Sequence, residues 1–181
     1  MVEQIKDLFD AEHQLVKALP KLAQSATTPQ LADALNSHLE ETRAHVSRLE
    51  QVFTFLEEKP KGKKCKAMQG LLAEGDEAAK DEKKGDLRDL AIIAGGQRVE
   101  HYEISAYGTA KAMAERLGLD KVVTLLRKTE EEESTADAKL TQVAGEIYDT
   151  VGDESEGASR PSARKMAQSA SAGSARRRAA R

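Results

Sequence analysis

The chain has 181 residues, of which 33% are charged and 3% aromatic, and its formal net charge is −3. This length suits one domain with a real core, and the abundance of Ala, Leu, Glu and Lys favours helix over strand. The apolar runs are far shorter than the roughly 20 residues that span a bilayer, and the amino terminus has no apolar signal region. We therefore expect an all-α protein that is soluble and cytoplasmic.

The first half of the sequence predicts two amphipathic helices, because apolar residues recur there at spacings of three and four. The first helix is expected from about Val2 to Leu22, with a kink or a short break at Pro20. The second helix is expected from Pro29 to about Glu57. The short gap between the two predicts a helical hairpin.

A long connection from Lys59 to Asp86 comes next, and Ala67 to Ala79 within it is expected to form a further, shorter helix. Two long helices are predicted after it, Leu87 to Leu117 and Asp120 to Tyr148, with Gly118 as the stop between them. Two hairpins joined by one long crossover are the connectivity of a ferritin-like four-helix bundle. This is the fold that we predict.

Each of the four long predicted helices carries a glutamate where its apolar stripe calls for leucine or isoleucine. An ionised carboxylate in an apolar core is strongly disfavoured unless it is paired or binds a metal. One such residue alone usually reaches the boundary with water. One on each of four helices, at similar depth, predicts a shared site, which is either a metal centre or a network of shared protons. The four residues are Glu12, Glu41, Glu100 and Glu133.

Residues three or four positions from these glutamates are candidates for further ligands, because such neighbours share a helix face. They are His45, Glu103 and Asp137, although His45 also fits the alternative of a satisfied core histidine. Carboxylates with one or two imidazoles suit iron or manganese. The usual di-iron bundle takes Glu-x-x-His from two of its helices, whereas Ala44 and Ala136 stand at the corresponding positions here. A mononuclear and a di-iron centre therefore both stay open.

The carboxyl-terminal segment differs sharply in composition from the rest. Ala158 to Arg181 contains seven basic residues and no acidic one, and subtracting them from the net charge of −3 leaves about −10 for residues 1–157. The segment has too few large apolar side chains to offset the entropy cost of ordering it. We expect a helical bundle over residues 1–150 and a disordered basic tail over residues 151–181. The tail is a solubilising extension, a non-specific binder of nucleic acid or a segment that docks on an acidic body.

Several segments of the body together resemble the YciF-type stress proteins. The resemblance covers roughly residues 1–148, and its most specific part is Val99 to Ile104 followed by Tyr107-Gly108-Thr109. It implies a ferritin-like bundle that is similar to rubrerythrin and bacterioferritin subunits, a homodimer and a link to the general stress response. It does not imply a defined reaction. The other segments that carry it are Ala11–Leu15, His38–Thr42, Cys65–Leu71 and Glu131–Glu133 with Asp137.

Two classes of function follow. The first is a metalloprotein with an iron centre, or a manganese centre, that binds metal, oxidises Fe(II) or removes peroxide. The second is a metal-free dimeric interaction module, linked to stress, that associates with nucleic acid through its basic tail. A homodimer is expected because second apolar rows at Leu39, Val46 and Phe53 leave a face for another subunit. No contact with a membrane is expected.

Cys65 is the only cysteine, so no internal disulfide can form. Three lysines surround it in the sequence, at positions 63, 64 and 66, and their charge would favour the thiolate. A surface thiol without a function is expected, because the chain has no second cysteine to resolve an oxidised one.

Overall fold

The computed structural model describes the chain from Met1 to Ser159, apart from the side chains of Asp81 and of residues 151–159. All regular structure in this range is helical, as predicted. The chain divides into two compact units, Met1–Gly145 and Glu146–Arg181, and the packing described below lies within the first. The helices are α1 (Val2–Ser25), α2 (Pro29–Phe55), α3 (Lys66–Asp81), α4 (Asp86–Arg116) and α5 (Asp120–Ser159).

The first hairpin consists of α1 and α2. Pro20 lies inside α1, which continues without a break to Ser25. Pro29 occupies the first turn of α2, where the missing N–H of proline leaves no hydrogen bond unmade. The buried Asp89 of α4 accepts hydrogen bonds from the backbone N–H groups of Thr27 and Thr28, both at 2.7 Å. These two bonds tie the turn of the first hairpin to the beginning of α4.

The second half has the predicted crossover helix and the predicted second hairpin. The crossover helix α3 packs against α4 and α1, and α3 and α4 approach closely, since a Cβ atom on Gly95 would lie 3.1 Å from Gly75 Cα. Gly118 has φ 69°, the left-handed conformation expected at the stop between the last two helices. The helix α5 continues to Ser159, beyond the predicted end at Tyr148. The part of the predicted tail from 160 to 181 lies outside the described residues.

An apolar core is shared by α1, α2, α4 and α5. Two of the residues expected to leave a face for a second subunit, Leu39 and Phe53, are instead buried in the protomer, and Val46 is partly buried. The homodimer stays a prediction that these residues do not support. Within the described range, no helix is both long enough and apolar enough to cross a membrane. One part of the core is formed by Ile5 and Leu8 of α1, Leu49, Val52 and Phe53 of α2, Tyr107 and Ala110 of α4, and Val122 and Leu126 of α5.

Candidate metal centre

Six polar side chains form a buried layer among the apolar residues of the bundle. They come from all four long helices, and none is more than 7% exposed. Each occupies an inward position of its helix; Glu12, for example, lies between the buried Leu8 and Leu15 of α1. The layer, called the polar layer below, consists of Glu12 of α1, His38 and His45 of α2, Glu100 and Glu103 of α4, and Glu133 of α5.

The polar layer contains two sets of ligand atoms, and within each set all atoms lie within 4.8 Å of one another. Glu133 belongs to both sets. Its Oε1 atom is 3.0 Å from His45 Nδ1, and its Oε2 atom is 3.8 Å from His38 Nε2. The two oxygen atoms of one carboxylate thus face different sets, as they would if the carboxylate bridged two ions. One set is Glu12, His45 and Glu133, and the other is His38, Glu100, Glu103 and Glu133.

Eight buried nitrogen and oxygen atoms of the polar layer have no hydrogen-bond partner. The short distance between His45 Nδ1 and Glu133 Oε1 does not have the angles of a hydrogen bond. A buried polar atom without a partner costs about 1–3 kcal/mol. Elsewhere in the described part of the chain, the only buried side-chain atom of this kind is Thr28 Oγ1. Unpaired polar atoms are therefore concentrated in the polar layer.

The two histidines each have one ring nitrogen in the polar layer and the other against a carboxylate outside it. His45 faces the layer with Nδ1, and its Nε2 atom is 3.0 Å from Glu132 Oε2. His38 faces the layer with Nε2, 3.4 Å from Glu100 Oε1, and its Nδ1 atom is 3.4 Å from Glu41 Oε2. Histidines that bind metals usually donate the other ring N–H to such a carboxylate.

Neighbouring carboxylates favour the charged form of both histidines. Burial by itself would lower the pKa of His45, but its contacts with Glu12 and Glu133 raise the pKa to about 10. Burial likewise opposes charge on His38, and the contact with Glu41 and the charges of buried carboxylates raise its pKa to about 9. Without a metal, both imidazoles are therefore in the protonated, positively charged form at neutral pH.

The carboxyl groups of the polar layer differ from one another. Burial raises the pKa of Glu100 and of Glu103 well above the usual value for glutamic acid, and nearby carboxylates add to the rise. Burial also raises the pKa of Glu12, although His45 offsets part of the effect. Burial acts in the same direction on Glu133, but its contacts with the histidines outweigh it, so that the pKa of Glu133 is lowered. Glu133 is the carboxyl group of the layer that most readily stays ionised.

Tyr107 lies beside the polar layer and is fully buried. Its hydroxyl group donates a hydrogen bond of 2.5 Å to Glu12 Oε1, which leaves Oε2 as the unpaired oxygen of that carboxylate. The hydrogen bond orients Glu12 with its free oxygen available for a ligand.

Five of the seven ligands predicted from the sequence lie in the polar layer, and two do not. Glu41 lies outside the two ligand sets, with its side chain 46% exposed, and contacts only the outer nitrogen of His38 within the layer. Asp137 also lies outside both sets; it accepts a hydrogen bond of 3.1 Å from Gln97 Nε2 and approaches the exposed His101. The five residues in the layer are Glu12, His45, Glu100, Glu103 and Glu133.

Sequence reasoning missed His38 as a candidate ligand. The signal was present, because His38 lies on the apolar stripe of α2 seven residues before His45, and residues seven apart share a helix face. With His38 included, the polar layer holds four glutamates and two histidines. This is the ligand inventory of the usual di-iron carboxylate bundle, except that here one helix supplies both histidines.

Cys65 differs from the expectation of a surface thiol. It is buried as the residue that precedes α3, its Sγ atom accepts a hydrogen bond from Met68 N, and the Tyr102 hydroxyl lies 3.0 Å away. Burial raises the pKa of the Cys65 thiol. The neighbouring lysines in the sequence therefore do not make it a thiolate.

Known proteins are similar to this chain in sequence and in fold. Residues 1–151 match the family of domains of unknown function DUF892. The chain is 44% identical over 141 residues to Protein YciF of Escherichia coli (strain K12). The aligned region covers 77% of this chain and 85% of that protein. The crystal structure of the E. coli stress protein YciF is similar with a TM-score of 0.79 and 42% identity, covering 82% of this chain and 94% of the other.

A second solved structure, YcfI from Rhodopseudomonas palustris, is similar with a TM-score of 0.76 and 45% identity, covering 77% of this chain and 89% of that one. The similarity to YciF confirms the predicted helical-bundle fold. It also confirms the resemblance carried by the segments of the body. The chain belongs to the DUF892 family of YciF-type proteins.

Proposed function

We propose that this chain is a ferritin-like stress-response protein whose polar layer would hold two ions of iron, or of manganese, with Glu133 as a ligand common to both. The observation that carries the proposal is the group of eight buried polar atoms, on four helices, that have no hydrogen-bond partner. Such atoms are costly in an apolar core unless something binds them. Two metal ions would give each of them a partner.

The types of ligand favour iron or manganese. Zinc prefers four ligands rich in cysteine or histidine, while calcium and magnesium take oxygen ligands alone. The polar layer combines four carboxylates with two imidazoles and has no thiolate among its ligands. That mixture suits iron or manganese, and its inventory equals that of the di-iron carboxylate proteins.

Bound iron or manganese would supply a redox couple through which O2 or peroxide could accept electrons from Fe(II). The chain's own residues contribute the surroundings. The apolar core excludes water from the ions, Tyr107 orients Glu12, and Glu132 and Glu41 contact the outer nitrogens of the histidines. The similarity to the stress protein YciF supports a role in the stress response.

The rival proposal is a metal-free interaction module in which the glutamates share protons. Glu100 and Glu133 lie close enough that each affects the pKa of the other, which favours this alternative. Glu103 argues against it. Burial raises the pKa of Glu103 well above its usual value, yet neither of its oxygen atoms has a hydrogen-bond partner. A network of shared protons would leave this buried carboxyl group unsatisfied, whereas a metal ion would bind it.

Metal analysis of anaerobically prepared protein tests the proposal. After chelation, the protein is refilled with Fe(II) or Mn(II) and the bound metal is measured by elemental analysis. Two ions per chain are expected, and absorbance of ferric iron should develop when the Fe(II)-loaded protein meets air. Protein that takes up neither iron nor manganese would favour the metal-free module.

A further inference from the structure

Arg48 of α2 and Glu132 of α5 form a closely bonded pair just outside the polar layer. The two terminal nitrogens of Arg48 donate hydrogen bonds of 2.5 Å and 2.9 Å to the two oxygen atoms of Glu132. Arg48 also donates a bond of 2.8 Å to the hydroxyl group of the buried Thr129. A two-point contact between guanidinium and carboxylate fixes the orientation of both groups. Glu132 is therefore held in one position.

The fixed carboxylate lies against the outer nitrogen of His45. Glu132 Oε2 is 3.0 Å from Nε2 of this completely buried ring. A carboxylate can only accept a hydrogen bond, so Nε2 must carry the hydrogen. In the neutral form of the ring, Nδ1 is then the nitrogen with the free lone pair. Nδ1 faces Glu12 Oε1 at 3.5 Å and Glu133 Oε1 at 3.0 Å.

His38 is held differently. Its outer nitrogen is Nδ1 rather than Nε2, and the carboxylate beside it, Glu41, is 3.4 Å away. The Glu41 side chain is 46% exposed, compared with 27% for Glu132. Water competes more strongly for an exposed carboxylate at a longer distance, so Glu41 restrains its ring less than Glu132 does.

We propose that Glu132, fixed by Arg48, is a positioning residue that presents His45 Nδ1 to the half of the metal centre formed with Glu12 and Glu133. Glu41 does the same, more weakly, for His38 in the other half. This inference rests on the proposed metal function and deepens it, because it makes the two halves unequal. Loss of such a partner typically lowers metal affinity about 10- to 100-fold.

Cobalt(II) serves as the probe, added anaerobically to full-length protein and followed by absorbance. The wild type should bind two ions per chain. Glu132→Ala should lower the affinity for one of the two ions about 10- to 100-fold and leave the affinity for the other unchanged. Glu41→Ala should also lower the affinity for one ion, by a smaller factor than Glu132→Ala does. Glu132→Gln should restore part of the affinity, because its amide oxygen still accepts from His45 Nε2.

The matched control is Glu131→Ala, which removes an exposed glutamate from the neighbouring position of α5 and should leave both affinities unchanged. A second readout is the ¹⁵N spectrum of the histidines in Zn(II)-loaded protein. It should show His45 bound through Nδ1 with a hydrogen on Nε2, and His38 with the opposite arrangement. A merely structural role of Glu132 would lower the melting temperature without changing these ¹⁵N shifts.

Two results would overturn the inference alone: wild-type affinity for both cobalt ions in Glu132→Ala, or zinc bound to His45 through Nε2. In both cases the wild type still binds two ions, so the proposed function survives. Wild-type protein that binds none of cobalt, iron and manganese would overturn the inference and the proposed function together.

Discussion

Glu133 is the residue whose removal tests the proposed two-ion centre most directly, because it alone belongs to both ligand sets. Glu133→Ala should therefore abolish the uptake of both ions. Glu12→Ala is the matched comparison, since Glu12 belongs only to the set with His45. It should reduce the uptake from two ions to one.

The fold should survive the loss of Glu133, because two opposing contributions nearly cancel. Breaking its buried contacts with His45 and His38 costs about 3–5 kcal/mol. Removing two unpaired buried oxygen atoms returns about 1–3 kcal/mol for each. The free energy of unfolding of the metal-free protein should therefore change by less than about 3 kcal/mol in either direction.

The assay combines anaerobic refilling with Fe(II), elemental analysis and chemical denaturation of each variant. Denaturation shows whether a variant that takes up no iron is still folded. If folded Glu133→Ala retains one ion at wild-type affinity, Glu133 does not bridge. If Glu12→Ala loses both ions, the two sets are not separate halves. Either result would refute the reasoning from the shared carboxylate.

Three further predictions follow from the structure and the sequence. Folding raises the pKa of His38 to about 9 and that of His45 to about 10. In the metal-free protein, their contribution to the free energy of unfolding should therefore be complete below the usual histidine pKa of 6.5. It should be lost as the pH rises toward 10. Metal affinity should rise over the same range, since the ions displace these protons; melting temperatures and titrations from pH 6 to about 10 check both trends. Tyr107→Phe removes the hydroxyl that bonds Glu12 and should lower the free energy of unfolding by about 1–3 kcal/mol; an unchanged denaturation midpoint would contradict the bond. Truncation after Gly157 should leave metal uptake intact and eliminate any binding of duplex DNA at low salt, and full-length protein that does not retard DNA would remove that role for the tail.

The bundle could be predicted because its signals are local. Apolar spacing and short turns define each helix, although they predict the bounds of α4 better than the end of α5. The structure begins α4 at Asp86 and ends it at Arg116, within one residue of the predicted bounds. It extends α5 from the predicted end at Tyr148 to Ser159, past Gly152 and Gly157. A glycine lowers helix propensity by only about 1 kcal/mol, which neighbouring residues can outweigh.

The candidate site was predicted less completely, because a stripe in the sequence does not give the angle of a side chain around its helix. Each residue of an α-helix is rotated by about 100° from the one before it. Viewed down the α2 axis, Glu41 therefore points about 50° away from the mean direction of His38 and His45. This rotation places Glu41 on the exposed flank of the helix. Asp137 lies one turn, about 6 Å, beyond Glu133 along α5, where Gln97 rather than the polar layer is its neighbour. Both differences arise because residues that share a helix face do not always share a site.

The placement of the two histidines on α2 favours two ions over one in the proposed centre. Two nitrogens that bind one ion lie no more than about 4.2 Å apart, which is twice a metal–nitrogen bond of about 2.1 Å. Among the described residues, the ligand atoms within a set lie within 4.8 Å of one another, and neither set contains both His38 and His45. Glu133 instead faces one histidine with each of its oxygen atoms. A single ion would leave one of the two imidazoles and part of Glu133 unbound, so the arrangement favours two ions even though neither Glu-x-x-His motif is present.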